Sequence, residues 1–199
     1  ILSSPLIADI YSWIDKDGIR HFTNVAPPLN EDAEGLTKSR EVYQKIASKE
    51  NQEYQFKVLK VFDGDTIKVK GLELIFKVRL VGIDSPEFGY KGQKSQPFCQ
   101  QSKQYLATLL GKRKVTLKSY GTGGYNRQLA EVFVDGTNIN LEMIKAGMAE
   151  VYKGKRPKKL NSGLYIKNEL NAKRSMRGIW VQGSAYKSPK KWRKENPRK

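Results

Sequence analysis

Three runs of alternating apolar and polar residues lie between residues 54 and 80, and the joints between them are turn-sized. Tyr54-Gln55-Phe56-Lys57-Val58, Ile67-Lys68-Val69 and Leu74 to Leu80 keep the two-residue period of a strand with one buried face. Asp63-Gly64-Asp65 supplies the first turn and Lys70-Gly71 the second, so the three strands run antiparallel in sequence order. A polar loop from Glu87 to Gln96, rich in Lys and Gly, follows and reads as mobile. Pro97 can open a helix that carries Phe98, Tyr105, Leu106 and Leu109 on one face and stops at Gly111. Two more strands follow, Val115 to Lys118 and Leu129 to Val134. Asn140 is placed to cap a second helix ending at Gly147, and a last helix spans roughly 162–176. Five short strands with interspersed helices predict a small closed barrel, mainly β within an α+β chain.

The 199 residues, 38% of them hydrophobic, suffice for one ordinary domain with extensions. Residues 9–29 hold two β-prone runs, Ile10 to Ile14 and Ile19 to Asn24, around Asp15-Lys16-Asp17-Gly18, and predict a hairpin closed off by Pro27-Pro28. Residues 30–52 read as a polar linker with one helix. Residues 1–8 are apolar and end in the small Ala8, like the tail of a signal peptide or an apolar arm, which predicts a secreted or periplasmic bacterial protein. No run is long enough to span a membrane. Residues 153–199 hold 16 Lys/Arg against 2 acids and carry most of the net charge of +17. Residues 183–199 are therefore read as a basic tail: a solubiliser, or a non-specific binder of nucleic acid or another anionic surface.

One cysteine, Cys99, excludes an internal disulfide and a thiolate metal cluster, and one histidine, His21, removes most histidine-dependent chemistry. Cys99 is expected to be a buried structural thiol, with an intermolecular bridge as the alternative, and His21 a structural strand residue. What remains is carboxylates, guanidinium groups and a hard cation. Asp65 sits in a turn, Asp84 and Glu87 at a strand end, and Arg79 is one register off the apolar Phe76, Val78 and Leu80, so it points to the opposite face. Two aspartates and a main-chain carbonyl suit a cation that prefers oxygen. A carboxylate that orients water and an arginine that forks a phosphate complete a hydrolytic set.

The segments Asp63-Gly64-Asp65-Thr66 and Arg79-Leu80-Val81-Gly82-Ile83-Asp84-Ser85-Pro86-Glu87 resemble the staphylococcal nuclease family. So do Tyr125-Asn126-Arg127-Gln128-Leu129-Ala130, Gly147-Met148-Ala149 and Arg177-Gly178-Ile179-Trp180. The resemblance covers about 54–180, within a domain of 53–182, and implies a five-stranded OB-fold barrel with three helices. It implies Ca²⁺ held by Asp65, Asp84 and the Ser85 carbonyl, Arg79 and Arg127 on the scissile phosphate, and Glu87 orienting or deprotonating the attacking water. Tyr125 and Tyr152 would lie beside the nucleotide, with barrel-edge packing as their alternative. DNA and RNA would be cleaved to 3′-phosphate products. Gly123 and Gly124 stand where the family has an acid and a basic residue, so one terminal-phosphate contact is missing. The alternative function is an OB module that binds nucleic acid without cutting it. Residues 9–29 resemble a small module of unknown function found in exported bacterial proteins.

Overall fold

A computed structural model of the chain describes residues 11–14, 20–23, 37–38, 54–71, 74–124 and 127–197. The chain divides into two units, 1–53 and 54–199.

In the first unit β1 (Tyr11–Ile14) pairs antiparallel with β2 (Arg20–Thr23), in the register Tyr11 to Thr23 and Ile14 to Arg20. This is the expected hairpin; its Asp15 to Gly18 turn lies outside the described residues, as does the helix read into 30–52. His21 stands opposite Trp13. A third strand, β3 (Thr37–Lys38), pairs with β1 on its other edge. Two residues of the stretch read as linker therefore belong to the N-terminal sheet; so short a strand leaves no period to detect.

In the second unit β4 (Gln55–Val61), β5 (Thr66–Gly71) and β6 (Leu74–Leu80) pair antiparallel in sequence order. β8 (Lys114–Gly123) adds to the free edge of β4, and β9 (Arg127–Val134) runs antiparallel to β8 and parallel to β6. The ring β4-β5-β6-β9-β8 closes, which leaves no open edge among these five strands. Ile67, Val69, Val78, Leu80, Val115, Ala130, Val132 and Val134 point inward and are fully buried or nearly so. Each large side chain so buried stabilises the fold by roughly 1.5–3 kcal/mol. The pair β7 (Ile83–Asp84) and β11 (Glu150–Val151) and the short β10 (Thr137–Asn138) beside β9 complete the β structure.

The three expected helices are α1 (Cys99–Leu110), α2 (Ile139–Lys145) and α3 (Ser162–Arg174). Leu106, Leu110, Met143, Ile144 and Tyr165 turn from them into the barrel core. Cys99 is buried, and burial pushes its thiol above the usual value, as befits a structural thiol. The cap of α2 is Asn138, whose side chain accepts from the Leu141 N–H, not Asn140. Asn140 is fully buried instead. Its amide donates to Val81 O at 2.9 Å and Ala130 O at 3.1 Å, and its carbonyl accepts from Val132 N at 2.9 Å. It stitches the chain leaving β6 to β9. Asn140→Ala takes the Asn140 bonds from Val81 O and Val132 N in a dry core, whereas Ala130 O keeps its bond from Val81 N, and each unsatisfied group costs ~1–3 kcal/mol. The expected result is a lower denaturation midpoint at unchanged slope, a loss of about 3 kcal/mol.

Beyond α3 the chain does not trail away. A 3₁₀ segment (Gly178–Ala185) leads into a fourth helix, α4 (Pro189–Glu195), capped by Ser188 and opened by Pro189. Residues 183–197 of the stretch read as a basic tail are thus held against the domain. Tyr186 packs at a tilt against Trp180, 4.6 Å between ring centroids, and donates to Glu150 Oε2 at 2.8 Å, and Gln96 Nε2 donates to Lys187 O at 2.8 Å. No helix among the described residues is long and apolar enough to cross a membrane.

Candidate active site

The turn from β4 to β5 carries Asp63, Gly64 and Asp65. Asp63 Oδ1 accepts from Asp65 N at 3.0 Å and closes the turn. A Cβ on Gly64 would stand 1.8 Å from Ser102 Oγ and 2.8 Å from Ser85 Cβ, so only glycine lets the turn sit against α1 and the strand end that bears Asp84. Asp65 is fully buried. Its carboxylate accepts from Ser85 N at 2.7 Å, from the Thr66 hydroxyl at 3.0 Å and from Arg79 Nη1.

β6 brings Arg79 opposite Thr66, next to Asp65. The guanidinium bridges the two aspartates: Nη1 to Asp65 and Nη2 to Asp84 Oδ1 at 2.8 Å. Burial acts to lower its pKa, but the charges of Asp65 and Asp84 outweigh it and raise the value. Burial foremost, with the charges of Asp63 and Asp84 and against the opposing pull of Arg79, raises the Asp65 carboxyl to about 8. Of the three donors aimed at Asp65 only Arg79 is a cation, and all three favour its ionised form. Asp84 lies on β7 opposite Glu150. Glu150 is a third buried acid, raised by burial and by Asp84's charge, although its bonds from Tyr186 and Lys153 act to lower it.

Arg79, Glu87 and Arg127 line one cleft of about 900 Å³. Arg127, at the start of β9, is half-buried and donates through Nε to Gly124 O at 3.0 Å. Tyr152 also lines the cleft and is 37% exposed, while Tyr125 lies outside the described residues. The loop after Glu87 is closed at its base: Glu87 N donates to Gln96 Oε1 at 3.0 Å and Gln96 N to Glu87 O at 2.9 Å. Its Gly and Lys content reads as loose, yet one buried glutamine fastens it.

Sequence reasoning missed α4. Trp192, Arg193 and Asn196 form part of the cleft wall. Arg193 donates to both oxygens of Asp84, at 3.0 and 2.7 Å, and to Glu87 Oε1 at 2.5 Å. The bond to Asp84 raises its pKa although burial opposes this, so the charge is permanent. The one available signal was Trp192, an aromatic among Lys190, Lys191, Arg193 and Lys194.

A sequence model of the family described as staphylococcal nuclease homologue matches residues 77–182. The chain belongs to this family. Residues 1–45 match a second model, described as a domain of unknown function (DUF4124). An uncharacterized endonuclease of Haemophilus influenzae is 38% identical over 141 residues, 70% of this chain and 72% of the relative. Probable endonucleases named LCL3, from Scheffersomyces stipitis and Clavispora lusitaniae, are each 32% identical over 61% and 59% of the chain. The chain spans about half the length of these two yeast relatives. The nuclease-family domain therefore carries the expected barrel and, on one side of it, the carboxylate and arginine cluster. The family match begins inside β6, so the Asp63 to Thr66 turn precedes it.

Proposed function

We propose that the chain is a calcium-dependent nuclease that hydrolyses DNA and RNA to 3′-phosphate products. One observation carries the reading: Arg79 is held between Asp65 and Asp84 at a cleft onto which Glu87 and Arg127 also open. In this reading Arg79 and Arg127 grip the scissile phosphate and offset charge as it develops on the equatorial oxygens. Glu87 orients the attacking water or takes its proton. Phe62, Tyr152 and Trp192, all on the cleft wall, offer faces for bases, and such stacking tolerates any sequence.

The donor set fits a hard dication. Asp65 and Asp84 are buried, all-oxygen and close enough to share one guanidinium, and they already draw two cationic side chains. Among the described residues no three acidic, His or Cys side chains form a metal cluster; the ligands that the family resemblance implies are these two carboxylates and the Ser85 carbonyl. Bound there, Ca²⁺ would act as a Lewis acid and template. Arg193 occupies both oxygens of Asp84, so the ion and Arg193 address the same carboxylate.

Degradation of single-stranded DNA with Ca²⁺ or with EGTA, by wild type and Glu87→Ser, tests the reading. The expected result is cleavage abolished by EGTA and lowered about 10²–10⁴-fold in the variant. Binding without cleavage at any calcium level would favour the alternative, an OB module that only binds.

A further inference from the structure

Strands β4, β5 and β6 contain no acid and six cations: Lys57, Lys60, Lys68, Lys70, Lys77 and Arg79. The register sets the lysines directly opposite one another. Lys60 faces Lys68, Lys68 faces Lys77 and Lys57 faces Lys70. Lys57 and Lys60 are three residues apart and would point to opposite faces of a regular strand. The bulge between Val58 and Lys60 returns both to the face of Lys68 and Lys70. That face is the outer one, because Ile67, Val69 and Val78 fill the barrel. Lys57, Lys60, Lys70 and Lys77 are exposed and Lys68 is half-buried. None of the five makes an ion pair among the described residues.

Like charges set directly opposite across strands cost stability. A surface built only for solubility would mix signs, as an exposed sheet face readily can. The row instead runs into the cleft. Lys77 and Arg79 share a face of β6, two residues apart. Lys77 and Phe62 both line the cleft, and Lys60 Nζ and Lys77 Nζ lie 5.3 and 5.2 Å from the Phe62 ring centroid. Lys60, Lys68 and Lys77 cross three adjacent strands, roughly 10 Å, about the length of three phosphates along one duplex strand.

We propose that this lysine ladder is a second binding site for the phosphodiester backbone, which carries the substrate strand from the catalytic cleft across the outer face of β6, β5 and β4. The inference rests on the nuclease reading for the identity of the polyanion. Continuity with the cleft selects nucleic acid over an anionic lipid surface, since a flat membrane cannot follow the row into a groove. The ladder would lend affinity for long chains and leave the chemistry of a short ester untouched.

The full-length chain is tested as Lys57→Gln/Lys60→Gln/Lys68→Gln/Lys70→Gln; Lys77 stays because it borders the cleft. Binding of a labelled 20-nucleotide oligothymidylate is measured in EGTA from 50 to 300 mM NaCl. The expected slope of log K against log salt is shallower by about 2–3, near 0.7 per lysine for a single strand. Hydrolysis of a dinucleotide with Ca²⁺ should keep its rate, and the melting temperature should rise as repulsion is relieved. An unchanged slope would overturn the proposal. So would a slope change confined to phosphatidylserine vesicles, which would make the face a lipid surface. If wild type cuts nothing and the oligonucleotide slope still falls by this amount, the ladder stands and the nuclease reading fails.

Discussion

Arg79→Lys is expected to lower kcat on single-stranded DNA by about 10²–10³-fold, the usual cost of removing one preorganised donor to a developing anion. The two terminal nitrogens of Arg79 are anchored on different residues, Nη1 on Asp65 and Nη2 on Asp84. That bridge fixes the plane of the guanidinium, and a plane so fixed can present its remaining N–H groups to a phosphate without reorganisation. A lysine has one nitrogen on a flexible stem and cannot fork. Moreover, its three N–H donors radiate from a single nitrogen, so it cannot hold the two essentially buried carboxylates in one fixed plane as the guanidinium does. The loss should therefore fall on kcat more than on KM, because the interaction is strongest when charge builds up. Thermal unfolding serves as the control. The charge is retained, so melting should move far less for Arg79→Lys than for Arg79→Ala, which leaves two buried carboxylates facing each other. Turnover within about threefold of wild type would remove Arg79 from the mechanism, whatever happened to stability.

The barrel and the central cluster were legible for the same reason. Strand alternation is a local property, and it separates Val78 and Leu80 from Arg79 without knowledge of any partner. The turn pairs are local too, which fixes Asp65 at a strand start where its side chain can leave the sheet. What escaped was set by tertiary packing. Asn138 and Asn140 are two residues apart and chemically identical, yet one caps a helix and the other joins two strands in the core. Nothing in the composition separates them. The bulge at Val58 to Lys60 is equally silent, and without it the lysines of β4 read as split between faces. Arg193 is the strongest case. It is one of many cations beyond residue 152, and tertiary contacts such as the packing of Tyr186 on Trp180 and the clasp of Gln96 on Lys187 bring its helix to the cleft.

Arg193→Ala is expected to tighten Ca²⁺ binding by about tenfold. Asp84 gives both oxygens to Arg193, and a guanidinium fork on both oxygens competes with an ion for them by charge and by volume. Charge-assisted bonds of this kind contribute ~1.5–3 kcal/mol, and the 40% exposure of the Arg193 side chain places this pair at the lower end. That energy must be given back before the ion can bind, and a tenfold change in affinity corresponds to about 1.4 kcal/mol. Calorimetric titration of Ca²⁺ reads the affinity directly, without any substrate. Trp192, next in sequence and on the cleft wall, gives a second signal: its fluorescence should change as calcium is added to wild type, because α4 must then move. The same variant should reach its full cleavage rate at lower calcium. An affinity unchanged within twofold would mean that Arg193 yields Asp84 at no cost. A weaker affinity would mean that Arg193 orders Asp84 and Glu87 for the ion, and α4 would then be a wall of the site and no rival of the cation.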